Sequence, residues 1–284
     1  MKGELLHPAR AVLAEGPVWH EGRLWWVDIE RREVHAFDPK TGSDRSWTLP
    51  TRVGFVVPAA RGDFLVGTEN GIERFDPASG ALTPFVHPER EVAGNRFNDA
   101  KCDPAGRLWA GTMAISEAPH RGSLYRVEAG GRCTRTVERI SISNGLAWSR
   151  DGRTMYYIDS PTRRVDAFDF DAETGAIANR RMVVELTDGF PDGMCIDAED
   201  RLWIAVWGGW AVACHDPRTG QRVDRIEVPA EAVTSCCFGD GGDLYITTAS
   251  RDVTDATRKS QPEAGGLFRV RLPVGGPPPP AFRG

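Results

Sequence analysis

The sequence predicts an all-β fold, a six-bladed β-propeller, and three observations carry that prediction. A strand-forming segment that opens on a turn recurs six times, spaced by about 40–47 residues, the period of a four-stranded blade. Glycine (31), proline (20) and tryptophan (9) are abundant in the 284 residues, as many short strands joined by tight turns require. No stretch of useful length has helical periodicity. Six units of one type, with no composition shift between them, predict a single domain over residues 1–284.

The recurrent strand reads "GRLWWVD" at Gly22–Asp28, "GDFLVGT" at Gly62–Thr68, "GRLWAGT" at Gly106–Thr112, "GRTMYYID" at Gly152–Asp159, "DRLWIAV" at Asp200–Val206 and "GDLYITT" at Gly242–Thr248. Leu24, Phe64, Leu108, Met155, Leu202 and Leu244 mark the register. A second strand and turn usually follow, as in "VHAFDPKTG" ending at Gly42, "IERFDPASG" at Gly80, "VDAFDFDAETG" at Gly175 and "AVACHDPRTG" at Gly220. Asp-Pro and Thr-Gly punctuate hairpins because proline fixes φ and glycine accepts positive φ. The units beginning at Gly106 and Gly242 carry a longer polar stretch before "GSLYRV" and "GGLFRV". The tail, 273–284, includes Pro277–Pro280. It is too proline-rich for an inner strand and is expected as a rim or surface segment.

Composition narrows the function. A net charge of −5 argues against a nucleic-acid partner, which needs a basic footprint. No window has the length and apolarity of a membrane span, and the first residues lack a signal-peptide core, so a cytoplasmic protein without membrane attachment is expected. Six cysteines show no C-x-x-C pair; the adjacent Cys236 and Cys237 read as buried strand thiols. Among the six histidines, His20, His35 and His215 are expected at the surface or rim, and no H-E-x-x-H zinc signature occurs. A serine-hydrolase elbow, G-x-S-x-G, is absent. The repeated tryptophans fall on strands, where inter-blade packing accounts for them. A closed propeller hides its strand edges without a partner, so a monomer is expected.

The informative positions lie about ten residues ahead of each marker, where the strand nearest the propeller axis begins. Four repeats place an oxygen-bearing side chain there: Glu15 in "AEGPVW", Asn98 in "RFNDAKC", Asn144 in "SNGLAWS" and Asp192 in "PDGMCID". Gly54 and Ser235 stand at the other two. Any one Asn or Asp before Gly also makes an ordinary Asx turn. Four in register around a ring converge on one spot, where two carboxylates need a cation between them. An all-oxygen set of this kind suits one hard divalent ion.

These segments resemble the regucalcin (senescence marker protein) and gluconolactonase family. The resemblance runs through "EGPVW", "RFNDAKCDPAGR", "AGTMA", "ISNGLAWS", "YYIDS", "VDAFDFD", "PDGMCIDAED", "TSCCFG" and "QPEAGGLF", nearly the whole chain. It implies divalent-metal ligation by Glu15, Asn144 and Asp192, with Asp192 as the catalytic carboxylate. It also implies contact of Arg96 and Asn98 with the sugar. Where the family's regucalcin branch has a longer loop with paired acids, this chain has "ISEAPHRGSLY", leaving Glu117 near the place of a substrate-binding acid.

The resemblance thus implies metal-dependent hydrolysis of a small sugar (aldono) lactone to its acid, with calcium, zinc, manganese or magnesium as the ion. Three other readings stay open at this stage. A non-catalytic, calcium-binding regulatory protein would use the same three ligands. An interaction platform would instead expose an apolar face. A propeller hydrolase acting on phosphoesters or other esters would use the same metal and carboxylate.

Overall fold

The computed structural model describes all 284 residues as a closed ring of six four-stranded antiparallel sheets. The inner strands are Ala14–His20, Val53–Pro58, Asn95–Cys102, Ser143–Trp148, Phe190–Ile196 and Val233–Phe238, defining blades 1 to 6. Each inner strand packs on the next, and that of blade 6 returns to that of blade 1. The six marker residues sit on the second strands and are all buried. Because each blade is sandwiched between two others, its inner strands are buried on both faces; every residue of Val53–Pro58 is buried. The outermost strands, such as Ser43–Thr48, face solvent and carry polar side chains.

Local chemistry explains the repeated turns. Asp103 Oδ1 accepts the amides of Ala105 and Arg107 at 2.9 and 3.0 Å, and its Oδ2 accepts Trp109 Nε1 at 3.0 Å. Asp197 repeats this with Glu199, Arg201 and Trp203 at 2.8, 3.0 and 2.9 Å. One carboxylate thus closes the hairpin and satisfies a buried indole N–H, which packing alone would leave unpaired.

Three features differ from the sequence reading. First, blade 6 takes its outer strand from the beginning of the chain: Glu4–His7 pairs with Leu267–Arg271, closing the ring. Second, the tail does not lie on the rim. Gly275 O accepts Ala198 N at 2.8 Å beside blade 5, and Phe282 is buried where its N–H donates to Pro58 O at 2.8 Å. Arg283 N donates to Gly106 O at 3.0 Å. The tail therefore crosses from blade 5 to blades 2 and 3, over one end of the axis. Prolines lack the N–H a strand needs, but an apolar strap over apolar strand ends needs none. Third, His35 and His215 are buried. His35 stacks on Trp26 with centroids 3.9 Å apart, and its Nδ1 bonds Asp44 at 2.8 Å, so the ring is held inside the blade by one stack and one polar contact.

All six cysteines are free thiols. No helix is long and apolar enough to cross a membrane.

Candidate metal centre at the propeller axis

Every inner strand breaks register at the same height. The irregularities fall between Glu15 and Val18, Val53 and Phe55, Phe97 and Ala100, Asn144 and Leu146, Pro191 and Met194, and Val233 and Ser235. A bulge inserts an unpaired residue and re-aims the side chains around it. Six at one level form a collar around the axis, and Glu15, Asn98, Asn144 and Asp192 all stand in it. The glycines of the collar have steric reasons. A Cβ on Gly54 would overlap the carbonyl oxygens of Phe97 and Asn98 in the next blade, and one on Gly193 would overlap Ser235 Oγ.

Hydrogen bonds run from blade to blade around the collar. Arg96 Nη1 donates to Asn98 Oδ1 at 2.6 Å, and Asn98 Nδ2 donates to Asn144 Oδ1 at 2.8 Å and to Ser143 O at 2.8 Å. Asn144 Nδ2 donates to Ser160 Oγ at 2.8 Å, whose hydroxyl donates to Pro191 O at 2.6 Å, next to Asp192. Thr234 Oγ1 donates to Ala14 O at 2.6 Å, next to Glu15. With its amide nitrogen committed to Ser160, Asn144 has its orientation set, and its oxygen keeps a second lone pair.

Glu15, Asn98, Asn144 and Asp192 are each 4–6% exposed. Burial, then the charge of Asp99, pushes the Glu15 carboxyl from its ordinary 4.5 to about 8. Burial, then Glu15, then Asp99, pushes Asp192 well above the carboxylate range. Asp192 Oδ1 is buried without a hydrogen-bond partner. Two carboxyl groups held together and dry, one oxygen of them unpartnered, can both ionise only with a cation between them. No three His, Cys, Asp or Glu side chains form a metal-sized group, so such a cage must draw on carboxamide oxygen as well. Glu15, Asn144 and Asp192 supply a donor set that fits a hard divalent ion.

Arg96 is 6% exposed, with its guanidinium lowered from 12.5 to about 10 chiefly by burial. Glu117 is not drawn into the collar. It sits on an exposed turn with φ 59° and pairs with Arg251 at 3.2 Å. Arg251 lies over the Trp207 ring at 5.3 Å and exerts an attractive charge on Asp192. Blades 3 and 6 are opposite each other, so this ion pair spans the mouth above the collar.

Sequence reasoning passed over three residues here: Asp99, whose charge reaches both axial carboxylates, Ser160 and Arg251. Asp99 sits next to Asn98 and was legible as an acid, but not as facing the axis, because the bulge lets both neighbours do so.

Residues 13–250 match the sequence model of the SMP-30/Gluconolactonase/LRE-like region. The chain is 40% identical over 281 residues to a putative sugar lactone lactonase, YvrE, of Bacillus subtilis, covering 97% of this chain and 96% of that protein. It is 39% identical over 296 residues to regucalcin of Gallus gallus, covering 100% and 99%. The crystal structure of regucalcin from Agrobacterium tumefaciens, described as a calcium-binding protein, superposes with a TM-score of 0.94 at 31% identity, covering 99% and 97%.

Proposed function

From the chain's membership of the SMP-30/gluconolactonase/LRE-like family, we propose that this protein is a divalent-metal-dependent sugar lactonase. The observation that carries the reading is the collar: two buried carboxylates, one with an unpartnered oxygen, beside two interlocked carboxamides. Glu15, Asn144 and Asp192 would hold the ion. When bound, it would supply Lewis-acid stabilisation of the negative charge that develops on the lactone carbonyl oxygen.

The chain's own groups do the rest. Asp192 accepts the proton of the attacking water at its Oδ1, the oxygen that no protein donor occupies. It then returns a proton to the ring oxygen as the ester bond breaks and the free acid forms. Arg96 is held at Nη1 by Asn98 Oδ1 and Phe97 O, leaving other guanidinium donors to orient the substrate hydroxyls. Asn98 fixes Asn144 and frames the sugar side of the site, so these residues contribute orientation more than chemistry. Glu117, tied to Arg251 above the mouth, would meet the far end of a bound polyol. A small neutral lactone needs no basic or apolar docking surface, consistent with the net charge of −5, and a cytoplasmic monomer is part of the same reading.

The experiment is proton release from a panel of aldono-1,4- and 1,5-lactones by metal-stripped protein with single divalent ions restored. A phosphoester and an aryl ester serve as comparisons. Cation-dependent turnover of a lactone is the expected result. Tight cation binding without turnover of any ester would favour a calcium-binding role instead, the description carried by the Agrobacterium relative.

A further inference from the structure

A second chamber lies on the axis, beyond the collar and away from the Glu117–Arg251 mouth. Its volume is about 330 Å³, and all six inner strands line it, together with Pro277–Pro280 of the tail. Its walls are largely apolar, with Val18, Val57, Leu146 and Trp148 among them. Glu15, Asn144 and Asp192 do not line it. Lys101, on the chamber wall, reaches across blade 4 to donate to Met194 O.

One polar group in this chamber is unaccounted for. Asp99 is 3% exposed; its Oδ1 accepts Ala100 N at 2.8 Å, and its Oδ2 has no partner. Burial raises the Asp99 carboxyl and the nearby Lys101 ammonium opposes the rise. A buried carboxyl oxygen without a partner selects a ligand with a donor, and a charged donor, which also favours the ionised carboxyl, gives the stronger bond. The pocket volume falls in the range of small-molecule sites. The tail covers it without being fastened there: no backbone hydrogen bond is made between Gly275 and Phe282, the two anchors.

We propose that this chamber is a second binding site, for a compact arylalkyl ammonium ligand whose amine bonds Asp99 Oδ2 and whose ring packs among Val18, Val57, Leu146 and Trp148 under the polyproline strap. The chamber lies on the far side of the collar from the lactone mouth, with the Asp99 charge felt at Glu15 and Asp192; the proposal does not depend on the lactonase reading.

The test uses the full-length, cation-loaded protein and three matched probes: phenethylamine, 2-phenylethanol and 3-phenylpropionate, titrated calorimetrically. Phenethylamine is expected to bind about tenfold or more tighter than the alcohol and the acid. Asp99→Asn should bring the amine to the level of the alcohol. Val18→Phe, which fills the chamber, should abolish binding of all three while leaving the unfolding temperature near wild type. A crystal structure of the amine complex should show it beneath Pro277–Pro280. Absence of amine binding, preference for the acid, or an amine affinity unchanged in both variants would overturn the proposal.

Discussion

Stripping the cation should make the fold sensitive to pH in a direction opposite to that of most carboxylates. Glu15 is held at about 8 against an ordinary 4.5. Between those values the folded protein keeps a proton that the unfolded chain has released, so stability falls as pH rises through the window. For an isolated group the loss would be roughly 5 kcal/mol, complete above about pH 8 and absent below about 4.5. Asp192 acts in the same direction, since burial and Glu15 raise it too. A divalent ion removes the penalty by making the doubly ionised state the favoured one, and at about a hundredfold excess over Kd it adds roughly 2.7 kcal/mol. The assay is urea unfolding followed by tryptophan fluorescence at pH 5 to 9, with chelator or with cation. Chelated wild type should lose stability across the range, while cation-loaded protein should not. Glu15→Gln should flatten the chelated profile and weaken the cation response. Parallel profiles with and without cation, or an unchanged slope in Glu15→Gln, would refute the reasoning.

Three further outcomes follow from the collar. Ser160→Ala frees the Asn144 amide that it holds at 2.8 Å; calorimetry should show cation affinity down by about tenfold or more, as for other residues that orient a ligand. Arg96→Lys removes the planar fork behind Asn98, and steady-state kinetics should show KM raised about tenfold with a smaller change in kcat. Gly193→Ala forces a Cβ against Ser235 in the next blade. It should cost about 1–3 kcal/mol, read as a lower thermal midpoint.

Much of the architecture is legible in the sequence because a propeller repeats its signals. Leu24, Leu108 and Leu202 share the same turn-plus-strand context and are all buried at the same place in their blades. The family resemblance is legible for the same reason, being carried by blocks in every blade. Features that join distant segments are not. Nothing local in Glu4–His7 says that it completes the sheet of Leu267–Arg271, since a strand's partner is a property of ring closure. The strap over the axis is invisible likewise: Phe282 reads as a stray apolar residue until its pocket beside Pro58 and Phe85 exists. At the collar, Glu15, Asn98, Asn144 and Asp192 stand out by their offset from the markers. The bulges that aim them do not, although the glycine after Glu15, Asn144 and Asp192 was their trace. His35 was expected outside and lies within, because its partners, buried Trp26 and half-buried Asp44, come from two neighbouring strands.

The central claim is that Asp192 is both ligand and proton acceptor in a lactonase, and Asp192→Asn separates the two roles. The carboxamide keeps an oxygen for the cation but cannot take a proton. At saturating cation, kcat for the preferred lactone should fall by about 10²–10⁴ while the protein stays folded and still binds the ion. A variant that turns over lactone at the wild-type rate with cation bound would contradict the account.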